Sequence, residues 1–306
     1  HIAALTSSDG DRVNISVWRT DDFSKPPTVI ASTRIRFLDV AFIKNDRLIV
    51  TAIQTITVGA TRGHLIKQFV TDLEGKDFRP LLPDTGVKSE DEAFANRFAD
   101  ATVIDPLPQD PRYVLAQDNR LNGNGDLYRV DVYTGAAERK EHGSEKFDGY
   151  LVDLKGEVRA KQELGFDGGK VYIAQWIRNP DSGTWEEHFR SYARDRTLSE
   201  VVAFTTDPNV VYVRAVRGGD KAAIYEYDIR KRTFGEPVFA HALFEANGAV
   251  LTSKAKSDFG RVLGFRYEAE STRTYWVDDT LAALAKSLDA ALGVTRAPVA
   301  WTDPGT

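Results

Sequence analysis

The chain has 306 residues, no cysteine and a formal net charge of -5 from 40 basic and 45 acidic side chains. With 42% hydrophobic and 28% charged residues, it is neither a disordered chain nor a bulk binder of nucleic acid or other polyanions, and its length allows a sizeable core. Disulfides and thiolate metal sites are excluded, and no apolar run reaches the roughly 20 residues of a bilayer-spanning helix, so no membrane partner is expected.

The chain begins at His1, which is not an initiator residue, so a leader or upstream segment is expected to precede it. The first unit, about 1–33, has a turn at Ser8, Asp9, Gly10 and Asp11, a strand over 13–18 and an apolar run over 28–31 after Pro26 and Pro27. Asp-Gly between alternating apolar residues is a strong local hairpin signal. The second unit, about 35–84, carries F-L-D-V-A-F-I-K-N-D-R-L-I-V-T-A over 37–52, turns at Lys44, Asn45 and Asp46, and returns over 65–72. Ser89 followed by Glu92 suits a capping box, and Ala93, Phe94, Ala95 and Phe98 predict a short inserted helix before the third unit.

The third unit, about 100–142, shows the plan most clearly. Apolar runs at 102–107, 113–117 and 127–133 are separated by Gln109-Asp110-Pro111 and Asn122-Gly123-Asn124-Gly125, the pattern of a β-meander. Variants follow at about 148–194, 197–243 and 246–277. The pattern then changes: Asp279 is placed to cap a helix over 279–292 with Leu281, Leu284, Leu288 and Leu292 on one stripe and Gly293 ending it. Beyond it, 297–306 reads as the first strand and turn of a seventh unit.

A meander repeated every 40 to 60 or so residues predicts an all-β fold, a β-propeller forming one domain over 1–306. Four-stranded antiparallel blades are expected, seven in number with the last incomplete, and one helix before it. A propeller closes its ring or leaves a sheet edge exposed, so the chain is read as a piece of something longer or as lacking its end.

Several of these stretches resemble the N-terminal propeller of serine peptidases of the prolyl oligopeptidase (S9) family, in particular bacterial acylaminoacyl and dipeptidyl peptidases. The resemblance rests on V-I-D-P-L-P-Q-D-P-R-Y-V-L at 103–115, G-D-L-Y-R-V-D-V-Y-T-G at 125–135, G-E-V-R-A at 156–160 and G-R-V-L-G-F-R-Y at 260–267, then the leucine-spaced helix and the strand ending at Trp301. It implies a propeller that caps an α/β-hydrolase domain, admits oligopeptides to a Ser-Asp-His triad and excludes large folded proteins. It also implies that no cofactor is needed, and family habit favours a bacterial, periplasmic protein over a cytoplasmic one. The catalytic domain is not in these residues: there is no G-x-S-x-G elbow and no His after His241. The chain is therefore expected not to hydrolyse peptides by itself. The alternative is a free-standing propeller used for protein binding.

No catalytic constellation is expected. His142, Gly143 and Ser144 read as a polar turn before Phe147, since neighbours on a strand point to opposite faces. Asp118, Asn122, Asn124 and Asp126 alternate oxygen ligands like the start of a calcium loop, but Leu127 and Tyr133 stand where such a loop needs Gly and Glu. A tight turn is the preferred reading. Gly123-Asn124-Gly125 lacks the third glycine and following helix of a dinucleotide site. His1, His64, His142, His188 and His241 show no metal spacing, so no metal site is expected. Trp18, Tyr128, Trp176, Tyr212, Tyr225, Tyr227 and Trp301 fall at strand positions, where burial is the ordinary role. The candidate substrate-binding pair is Glu186 and Glu187: dipeptidyl peptidases of the resembled family bind a free amino terminus with paired propeller glutamates. The competing reading is solvated charge on an edge strand.

Overall fold

A computed structural model describes residues 1–7, 10, 12–58, 61–82, 101–118, 125–144, 146–192, 198–252 and 258–293. It divides into two compact units, His1–Glu145 and Lys146–Thr306. Among the described residues the first holds three antiparallel sheets, each running up and down in chain order. These are β1 (Ile2–Thr6), β2 (Asn14–Trp18) and β3 (Thr28–Ile30); β4 (Ile35–Lys44), β5 (Arg47–Val58), β6 (Thr61–Thr71) and β7 (Arg79–Pro80); and β8 (Ala101–Asp105), β9 (Tyr113–Asp118), β10 (Leu127–Asp131) and β11 (Ala137–Glu141).

The near-continuous apolar runs make sense once each strand is placed between two layers. Leu48, Val50 and Ala52 of β5 pack with Ile15, Val17 and Ile30 of the first sheet. The intervening Ile49, with Ile43 and Val70, packs against Val114, Ala116 and Val130 of the third. Strand residues alternate faces, so a sheet covered on both sides needs apolar residues at both parities. Each fully buried Val or Leu there contributes about 1.5–3 kcal/mol. Lys44, at the end of β4, donates from Nζ to the carbonyls of Pro106 (2.7 Å), Leu107 (3.0 Å) and Asp110 (2.5 Å), fastening the loop after β8 to the second sheet.

The second unit repeats the plan with β12 (Phe147–Val152), β13 (Val158–Asp167), β14 (Lys170–Arg178) and β15 (Trp185–Tyr192); β16 (Ser199–Phe204), β17 (Val210–Val216), β18 (Ala222–Asp228) and β19 (Thr233–Phe239); and β20 (Glu245–Leu251), β21 (Val262–Glu268) and β22 (Thr272–Trp276). Val201, Val211, Val213 and Tyr225 meet Ala160 and Ile177 on one side. Tyr212 and Ile224 meet Ala246 and Phe265 on the other. The fold class expected from the sequence, all-β with up-and-down antiparallel meanders and one described helix, is what the structure contains. Two of the described sheets have three strands rather than four. The predicted helix around 89–98 and the expected seventh unit at 297–306 lie outside the described residues.

Local chemistry sets the turns. Asp131 accepts from the backbone N–H of Tyr133 (2.9 Å) and Thr134 (3.2 Å), and Asp153 does the same for Lys155 (2.8 Å) and Glu157 (3.0 Å). Asp72 accepts from Lys76 N–H at 2.8 Å. Each turn then closes on a glycine in the left-handed region: Gly75 at φ 74°, Gly135 at 77°, Gly156 at 87°. The corresponding turn after Asp228 has no glycine, and Arg232 takes the left-handed conformation at φ 54°.

The helix α1 spans Asp279–Leu292 and ends at Gly293, φ 64°. Its N-cap is Asp278, whose carboxylate accepts from Leu281 N–H at 3.0 Å and also pairs with Arg261; Asp279, the cap expected from the sequence, lies in the first turn. Only Leu281 of the leucine stripe is buried, against Val250 and Leu263; Leu284 is 44% and Leu292 63% exposed.

Candidate functional site

Glu186 and Glu187 are consecutive on β15, an outer strand of its sheet, and face opposite sides. A β-bulge between the pairs Gln175–Phe189 and Trp176–Glu187 makes His188 the extra residue. Glu186 accepts from Asn179 Nδ2 (2.9 Å) and pairs with Arg232 Nη2 (2.8 Å). Glu187 is held bidentately by Arg190, at 2.8 and 2.5 Å. The hydrogen bond from Asn179, then the one from Arg232, holds the Glu186 carboxyl below its usual pKa; Arg190 does the same for Glu187. The structure thus gives each carboxylate an arginine rather than converging the two on one point.

Next to them on the strand, His188 turns inward, its side chain fully buried. Its Nδ1 lies 3.0 Å from Tyr227 Oη, its ring meets Phe189 and Tyr227 edge-on, and its Nε2 has no hydrogen bond, standing 3.7 Å from Glu186 Oε2. Burial, with the neighbouring Arg232 charge, pushes the imidazole pKa down to about 4. It is neutral at physiological pH.

The other residues considered from the sequence are engaged locally. Asp126 Oδ1 accepts from Gly143 N–H at 2.9 Å and stands 3.9 Å from the exposed His142 ring, and residues 142–144, where the sequence predicts a polar turn, follow β11 as irregular chain. Asn122 and Asn124, and with them the calcium-like spacing, lie outside the described residues. His64 meets Thr55 across the β5–β6 ladder. His241 Nδ1 accepts from the N–H groups of Leu243 and Phe244, and its ring stacks on Tyr267. Tyr212, Tyr225 and Tyr227 are buried, Trp176 donates to Glu163 at 2.7 Å, and Trp301 lies outside the described residues.

The sequence reading missed a cavity of about 380 Å³ in the second unit. It lies against residues 149–151 of β12, 200–202 of β16 and 247–249 of β20, the three edge strands of that unit's sheets on this side, with Gln162, Gln175 and Arg266 behind them. Glu200 is matched by Arg214 at 3.2 Å, and Gln175 Nε2 donates to Gln162 Oε1 at 3.1 Å. One signal was present: Gln175 is the one non-aromatic polar side chain within the apolar run 171–177.

No protein-family model matches the chain. Dipeptidyl aminopeptidase BIII of Pseudoxanthomonas mexicana is 26% identical over 136 residues, which are 44% of this chain and 19% of that protein. The chain therefore matches about a fifth of the length of this curated relative. Among solved structures it is similar to an oligogalacturonate lyase from Vibrio parahaemolyticus (11% identity, TM-score 0.45, 91% of this chain and 67% of that one). It is also similar to the β-propeller domain of the Trilobed protease from Pyrococcus furiosus (11% identity, TM-score 0.39, 81% and 82%). At these identities and TM-scores the solved structures bear on neither activity nor ligand.

Proposed function

We propose, from the similarity to a dipeptidyl aminopeptidase, that this chain is the propeller part of a prolyl oligopeptidase-like serine peptidase. In this reading it gates and orients oligopeptides for an α/β-hydrolase domain that supplies the nucleophile. The match over 136 residues is the observation that carries the reading. The chemistry is consistent with it: the chain's 306 residues hold no nucleophile elbow, so its contribution is selection and positioning, which lower the entropic part of the barrier. A bacterial, periplasmic location belongs to the same proposal and is tested by fractionation.

Glu186 and Glu187 serve as an amine site only if an incoming ammonium displaces Arg232 from one carboxylate or Arg190 from the other. Glu186→Gln is then expected to raise KM for peptides with a free amino terminus and leave N-acetylated peptides unaffected. The proposal as a whole is tested on the full-length gene product with a fluorophosphonate probe. Labelling of a serine outside these 306 residues, with cleavage of oligopeptides and not of folded proteins, supports it. A product with no labelled serine overturns it in favour of a free-standing binding propeller.

A further inference from the structure

We infer that the cavity against β12, β16 and β20 recognises the carboxylate end of a short peptide, Arg266 pairing with the terminal carboxylate and Gln175 accepting a peptide N–H.

Charge selects the sign of the ligand. Glu200 is neutralised by Arg214, whereas Arg266 forms no ion pair with a described residue; Glu268, two positions on, accepts instead from Asn247 and Thr272. Arg214 also stands 3.9 Å from Glu245 and Glu268 keeps its charge, so it is the free planar fork of Arg266, rather than a net positive field, that suits a carboxylate. Hydrogen bonding selects the second feature. Gln175 is only 3% exposed, its Nε2 is engaged by Gln162, and its Oε1 has no partner. A buried acceptor without a donor is unusual and is satisfied by a ligand N–H. A simple carboxylate, ionised at neutral pH, offers no such donor, but a peptide does.

The walls are built to leave access. Gly149 of β12 is opposite Gln162, which is itself opposite Gln175 in the ladder, and Gly248 of β20 is opposite Arg266. A Cβ built on either glycine would meet nothing within 4 Å. Neither glycine has a positive φ, so the backbone does not demand glycine there. The missing side chains instead leave open the space in front of the two polar groups. Sheet-edge strands can pair with an extended chain, and about 380 Å³ lies at the small end of ligand sites, which limits the occupant to a few residues.

The inference rests on the proposed function only in taking a peptide as the ligand. It is tested by calorimetric titration of this chain with tri-alanine, N-acetyl-tri-alanine, tri-alanine amide and inorganic phosphate. Both free-acid peptides are expected to bind saturably and the amide about ten-fold or more weakly, as for loss of a charged hydrogen-bonded partner. Arg266→Gln is expected to weaken free-acid binding by a similar factor. Gly149→Val, which fills the space before Gln162, is expected to abolish binding with the thermal melt unchanged. Equal binding of acid and amide, indifference to Arg266→Gln, phosphate competing as well as peptide, or no binding would each overturn the assignment. Because binding is read on this chain alone, a negative result leaves the serine-labelling test untouched, and a product with no labelled serine leaves this result standing.

Discussion

Lowering the pH should destabilise the second unit through His188. The imidazole is fully buried, against Tyr227 of β18 and Phe189 of β15, with Glu186 3.7 Å from Nε2. Burial and the Arg232 charge depress its pKa to about 4, from 6.5 in the unfolded chain. Above the unfolded value both states are neutral and the group contributes no pH dependence. Between 6.5 and about 4 the unfolded chain binds a proton that the folded one refuses, so stability falls as pH falls. Integrating the two titrations gives a loss of about 2 kcal/mol between about pH 7.5 and about pH 5, approaching about 3 kcal/mol in acid. The assay is urea unfolding at the two pH values, followed by the fluorescence of Trp176 and Trp185 on the same sheet. His188→Phe keeps an aromatic ring among Phe189 and Tyr227, forfeits one hydrogen bond worth about 1 kcal/mol at neutral pH, and removes the titrating group. Its pH slope should be shallower by the calculated amount. If the two proteins lose stability in parallel between these pH values, the burial argument is wrong.

Three further predictions concern stability. Lys44→Met should cost about 2–3 kcal/mol, because three carbonyls of the loop after β8 lose their shared donor; amide exchange in that loop should rise with the fall in denaturant midpoint. Gly75→Ala forces a Cβ into the left-handed region and to 2.8 Å from Ile30 Cγ2, whereas Gly10→Ala at φ 81° meets nothing. The first should cost about 1–3 kcal/mol and more than the second, and equal melting temperatures would refute the crowding. Asp278→Ala should lower stability by about 1 kcal/mol through loss of the helix cap, and Asp279→Ala by less, as read by thermal melts of the two variants.

What the sequence determined by itself is the part of the structure whose causes are local. The aspartates at 72, 131 and 153 and the glycines at 75, 135 and 156 fix their turns within a few residues. The apolar runs between them state that both faces of a strand will be covered. The helix before Gly293 was equally legible, but its cap was not: Asp278 and Asp279 are alike in sequence, and the exit of the chain from β22 decides which one bonds to Leu281.

Tertiary structure decided what the polar residues do. Glu186 and Glu187 look like a free acidic pair until Arg232, 46 residues away, and Arg190, brought alongside by a bulge, take one each. His188 is a polar strand residue until sheet packing places Tyr227 over it. Gln175, Glu200 and Arg266 come from three different sheets of one unit, and no periodicity within a strand encodes their meeting at one cavity. Hydrophobic patterning specifies that a strand is buried, but the partner of a buried polar atom is set by whichever distant segment the packing brings within about 3 Å of it.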